Sequence, residues 1–104
     1  MMYNLFYLPH SLQDMVEIAE YIGVQLNNPK EASRLTDEMI KKAESLKQFP
    51  YANSVYIPIK PLEREYRRIF VRNYTMFYYI DEKNKEITIA RVIYSRRNLE
   101  ENIK

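Results

Sequence analysis

The sequence predicts an α+β fold, a helical hairpin packed on a mainly antiparallel four-stranded sheet in the order β-α-α-β-β-β. Two consecutive stretches between Ser11 and Phe49 repeat their apolar residues every three or four positions, the period of an amphipathic helix. A β-rich run precedes them, and three more follow between Tyr66 and Tyr94, separated by short polar turns. A linker of only about two residues between the helices makes them antiparallel neighbours.

In order, "YNLFYL" (Tyr3 to Leu8) predicts the first strand, closed by Pro9. Ser11 and Asp14 have the spacing of a helix cap, a side-chain oxygen for the free N–H groups and an acid near the positive helix end. Leu12, Val16, Ala19, Ile22 and Leu26 then fall on one helical face, and Gly23 weakens the last turn. Asn28 as cap, Pro29 at the first position and Glu31 as the reciprocal acid restart the pattern. Ala32, Leu35, Met39, Ala43 and Leu46 form the second buried stripe, which ends by Phe49 and Pro50. From Pro50 to Glu65 there are three prolines and no sustained period, so a loop is expected there, with a short extended piece at Ser54 to Ile57. "YRRIFVR", "TMFYYI" and "EITIARVIY" are the remaining strands, turning at Arg72 to Tyr74 and at "DEKNK".

At 104 residues this is one domain, 1–104, with one core. The chain has no cysteine, which excludes disulfides and thiolate chemistry. A single histidine, His10, leaves no transition-metal cluster, and a single glycine supplies no phosphate-binding loop. No cofactor and no metal are therefore expected. No apolar run is long enough to span a membrane and the N-terminus lacks a basic leader, so the expected location is the cytoplasm, with no membrane partner.

The net charge of +2 conceals an uneven distribution: −2 over residues 1–59, +5 over 60–97 and −1 over 98–104. Seven of the eight arginines lie between Arg64 and Arg97. Arginine offers a planar, permanently charged fork to phosphates and carboxylates, so this half of the chain predicts an anion-binding surface. Strand alternation puts Arg67 and Arg68 on opposite faces, sending one of them to the face without helices. "RVIYSRRN", Arg91 to Asn98, reads as an edge strand whose end is the rim of that surface. The candidate target-binding residues are Lys60, Arg64, Arg68, Arg91, Tyr94, Arg96 and Arg97. Tyrosines at 66, 74, 78 and 94 suit either stacked RNA bases or the packing of an acidic protein segment.

The hairpin ending in "LKQFP", the run "YRRIFVRNYTMFYYID" and the ending "RVIYSRRN", in that order over nearly the whole chain, resemble the RelE/ParE superfamily of type II toxin–antitoxin toxins. The resemblance implies a small cytosolic toxin neutralised by a cognate antitoxin encoded beside it. RelE-like members cleave mRNA on the ribosome without metal; that activity implies Arg67, Arg68, Arg91 and Arg96 as phosphate clamps and Tyr94 as proton carrier. Two departures tell against it. Thr75 follows Tyr74 where the ribonuclease branch commonly has arginine, and the tail "NLEENIK" contains neither Tyr nor His. Both favour the ParE-like branch, understood to poison DNA gyrase by binding. A ribosome-dependent endonuclease and a non-toxic interaction domain are the alternatives.

Overall fold

The computed structural model describes residues 2–102. The elements are β1 (Asn4–Tyr7), α1 (Pro9–Glu20), α2 (Pro29–Ser45), β2 (Arg67–Val71), β3 (Tyr74–Asp81) and β4 (Glu86–Tyr94). A π-helical segment, Tyr21–Gln25, extends α1, and a 3-10 turn, Leu99–Glu101, follows β4. This is the expected helical hairpin on a four-stranded sheet. The sheet order is β1-β4-β3-β2, with β1 parallel to β4 and the other pairs antiparallel.

The second helix follows its sequence signals closely. The Asn28 side chain accepts from the Glu31 N–H at 3.3 Å, Pro29 opens the helix, and Ala32, Leu35, Met39 and Ala43 are all buried. The first helix departs from them. Pro9 starts it at the position where a missing N–H costs nothing, so the proline begins the helix and does not merely end the strand. Ser11 and Asp14 do not cap it; both are buried, and the Ser11 hydroxyl donates to the Leu8 carbonyl at 2.7 Å. Two adjacent rows of α1 are apolar, and the row through Met15, Ile18 and Ile22 packs on the sheet, while Leu12 and Val16 stay 49% and 52% exposed. Periodicity cannot choose between neighbouring rows; the buried Asp14 does, because its partner lies on β4.

The main core lies between helices and sheet, with Met15, Leu35, Met39 and Leu46 against Val71, Met76, Tyr78, Ile87, Ile89 and Val92. The buried Tyr78 hydroxyl donates to the Pro50 carbonyl at 2.8 Å, so its polar end is satisfied. The face without helices is covered as well. Phe77, Ile93 and Leu99 form a second cluster, closed by Tyr56, Leu62 and Tyr66 from the 50–66 loop. Glu100 holds this lid, accepting from the Tyr56 hydroxyl at 2.7 Å and the Ile59 N–H at 3.0 Å. Within the loop, Val55 bridges to Arg67, matching the expected extended piece.

β4 is an interior strand, not the edge expected from the sequence; β1 and β2 are the edges. A bulge explains how β4 is read. Phe77 pairs with Arg91 but Tyr78 pairs with Ile89, so Ala90 is an extra residue on β4. Strict alternation would carry the row Ile87, Ile89 onward to Arg91. The bulge instead puts Val92 in the main core and turns Arg91 out of it. Among the described residues, no helix is long and apolar enough to cross a membrane.

Candidate functional site

The basic ending of β4 divides into three environments. Arg91 is 8% exposed and belongs to the fold. Its guanidinium clasps Asp14 in a bidentate pair, Nε to Oδ2 at 2.7 Å and Nη2 to Oδ1 at 3.0 Å, and Nη1 donates to the Asn102 carbonyl. Asp14 Oδ2 also accepts the Val92 N–H at 2.9 Å. The carboxylate thus stands where a β-strand partner would stand, and it pins β4 to α1 by charge-assisted bonds.

Tyr94 and Arg97 line a cleft of about 590 Å³ between α1 and the second half of β4, above the Asp14–Arg91 pair. Tyr21 and Tyr74 complete its aromatic wall, with the Tyr74 and Tyr94 rings edge to face at 6.0 Å. Burial, and then the neighbouring Tyr21 and Tyr94, push the Tyr74 phenol above its ordinary pKa. It therefore stays protonated at neutral pH. Arg96 is exposed on the turn that Arg97 N–H closes onto Tyr94 C=O at 2.9 Å.

The other candidates lie elsewhere. Arg68 sits on the sheet face away from the helices, opposite Phe77, with its guanidinium 5.5 Å from the Tyr56 ring and 5.3 Å from the Phe70 ring. Its buried Nε has no hydrogen-bond partner among the described residues. Two strand spacings, about 10 Å, separate its backbone from that of Arg91. Arg64 lies over the Tyr79 ring at 4.0 Å and lines a second hollow of about 380 Å³ with Leu8, Leu62 and Tyr66. Lys60 is exposed on the loop. Arg67 is engaged internally, donating to the Asn53 carbonyl at 2.7 Å. Arg64, Arg68, Arg96 and Arg97 form no ion pair with any described carboxylate.

The structure therefore brings Arg91, Tyr94 and Arg97 to one cleft and leaves Lys60, Arg64, Arg67 and Arg68 outside it. Sequence reasoning missed Tyr21, Glu17 and the role of Asp14. A usable signal existed: an acid in the helical row of Met15 and Ile18 needs a buried cation, and "TIARVI" contains the one arginine within an apolar strand. Among the described residues, no group of three or more His, Cys, Asp or Glu side chains is placed to hold a metal ion.

Comparison with known proteins adds the following. The family described as the ParE toxin of type II toxin–antitoxin system, parDE, matches residues 5–99. No curated protein matches in sequence. A chain of the chromosomal ParDE toxin–antitoxin system from P. aeruginosa is similar in structure, with a TM-score of 0.70 at 17% identity, covering 89% of this chain and 96% of that one. The toxin–antitoxin complex RelBE2 from Mycobacterium tuberculosis contains a chain with a TM-score of 0.65 at 16% identity, covering 90% and 99%. A chain of the archaeal RelE–RelB complex from Pyrococcus horikoshii gives 0.62 at 16% identity, covering 93% and 99%. At these identities the structural likeness establishes the shared fold.

Proposed function

The chain belongs to the ParE toxin family of type II toxin–antitoxin systems, and from that premise we propose that it acts by binding and poisoning DNA gyrase, without cleaving RNA. A cognate antitoxin is its partner. The observation that carries the gyrase reading is the Asp14–Arg91 pair. An RNA-cleaving site needs cations converging on one phosphate and a proton carrier beside it. Here the central candidate, Arg91, is buried against a carboxylate, Arg67 is bound to a carbonyl, and Arg68, in the same cross-strand row as Arg91, stands two strands away beyond Phe77. What remains at the surface, Arg96, Arg97 and Tyr94 with Lys60, Arg64 and Arg68 further off, suits recognition of an acidic protein surface. The endonuclease reading keeps one point in its favour, that Tyr94 and Arg97 line the same cleft.

Expression in bacteria without the antitoxin tests the choice. DNA-damage signalling and filamentation, with translation continuing at first, are expected. Immediate translation arrest with breaks in ribosome-bound mRNA and undisturbed replication would overturn the gyrase reading.

A further inference from the structure

The lid over the face without helices is held by few bonds, and one residue supplies those near its tip. At its base, Tyr56 N–H donates to Tyr66 C=O at 2.8 Å and Arg68 N–H to Ser54 C=O at 3.2 Å. Beyond them the chain runs out to Ile57 and Ile59, 79% and 77% exposed, and Pro58 and Pro61 carry no N–H to tie it down. Glu100 accepts two bonds from this part of the lid, from the Tyr56 hydroxyl at 2.7 Å and from Ile59 N–H at 3.0 Å. Its own footing is firm. Leu99, beside it, is fully buried with Phe77 and Ile93, and the turn is followed by Asn102, whose C=O accepts from Arg91.

What the closed lid covers is only partly satisfied. Tyr56 packs edge to face on Phe77 at 5.0 Å, and Leu62 and Tyr66 complete the apolar contact. Beside them the Arg68 guanidinium lies 5.5 Å from the Tyr56 ring, with its Nε buried and without an acceptor among the described residues. A buried donor left unpaired costs free energy that water returns once the cover lifts. Apolar contact and the Glu100 bonds therefore favour closure, and the Arg68 Nε opposes it. Segments with so few ties open well below the free energy of global unfolding. An arginine beside a buried aromatic ring is also the composition of a binding hot spot, here hidden.

We propose that the lid is a gate: it swings off the sheet as a unit, Glu100 is its catch, and the toxin meets its target with the gate open, when Arg68 and Phe77 are uncovered. A two-state element of this kind lets the toxin keep an adhesive surface covered until a target is present to bind it. The proposal rests on the reading of the chain as a toxin that binds its target, and it is independent of whether that target is gyrase.

Amide hydrogen exchange of the free toxin tests the opening. The Tyr56, Ile59 and Arg68 amides should exchange together, about 100-fold or more faster than the amides that join β3 to β4. Glu100→Gln, which weakens both of its bonds and keeps the side chain's size, should speed all three about 10-fold and leave the sheet unchanged. A cross-link tests the need to open. The chain has no cysteine, so Ile59→Cys with Glu101→Cys, both at exposed positions, can be joined by a short reducible thiol-reactive linker with Glu100 left in place. The readout is whichever of supercoiling and translation the unlinked toxin arrests. Linked toxin should be about 10-fold or more less inhibitory, each single-cysteine variant carrying the same linker should stay active, and reduction should restore the linked form. Lid amides that exchange only at the rate of the sheet, or linked toxin at full potency, would overturn the gate. Arrest of translation by the unlinked toxin with supercoiling untouched would overturn the gyrase reading alone, and the gate would still be decided by these two measurements.

Discussion

Asp14→Asn is the most informative single perturbation of the fold. It removes one charge from a pair in which both side chains are only 10% exposed, and it keeps the volume and an acceptor for the Val92 N–H. Arg91 is then left charged, buried and short of its partner. Removing one member of a buried pair costs roughly 3–5 kcal/mol. Against a total stability of roughly 5–15 kcal/mol for a domain, that is a large fraction. At about 4–8 °C per kcal/mol for a chain near this size, the melting temperature should drop by about 12–40 °C. Urea unfolding followed by circular dichroism measures the loss directly. The double variant Asp14→Asn/Arg91→Met should regain part of it, because the stranded charge is gone, and a double-mutant cycle isolates the coupling. A cost under about 1 kcal/mol for Asp14→Asn, the size of an exposed ion pair, would refute the reasoning.

Other consequences concern the surface and the lid. Arg96→Glu should weaken target engagement in a gyrase inhibition assay while changing stability by no more than about 0.5 kcal/mol. Tyr94→Phe should retain full growth inhibition; a loss of about 100-fold or more would mark the hydroxyl as an acid–base group. The Glu100 carboxyl is held below its usual pKa, first by the Tyr56 hydroxyl and further by backbone N–H groups including Ile59. A depressed folded value means that its contribution is present above the unfolded value of about 4.3 and is lost as pH falls through the lower folded one. The Ile59 amide should therefore lose protection against exchange under acid conditions, and Tyr56→Phe should move that loss to higher pH.

Much of the fold was legible because local and tertiary demands agreed. In α2, the Asn28 cap, Pro29 and the stripe from Ala32 to Leu46 each specify the same helix, and the packing kept all of them. In α1 two apolar rows competed, and a tertiary contact, Asp14 with Arg91 77 residues away, decided which faced inward. Nothing local encodes that choice. The extra residue at Ala90 was equally hidden, since the alternation of Ile87, Ile89, Arg91 and Ile93 is unbroken in the sequence and only pairing with β3 exposes the bulge. The same bulge altered the candidate site. The motif beginning at Arg91 reads as one basic rim, but its first arginine is buried in the pair with Asp14 that ties β4 to α1, while Tyr94, Arg96 and Arg97 remain exposed. The lid over Phe77 also escaped notice, because its contacts join the 50–66 loop to Leu99 and Glu100 across more than 30 residues of sheet.

Incubating the purified toxin with purified gyrase, relaxed plasmid and ATP, alongside programmed ribosomes carrying a defined mRNA, tests the proposed target most directly. Loss of supercoiling with accumulation of cleaved DNA, and intact mRNA, is the expected pair of results. Normal supercoiling together with toxin-dependent mRNA breaks that disappear in a folded Arg91→Met variant would contradict it.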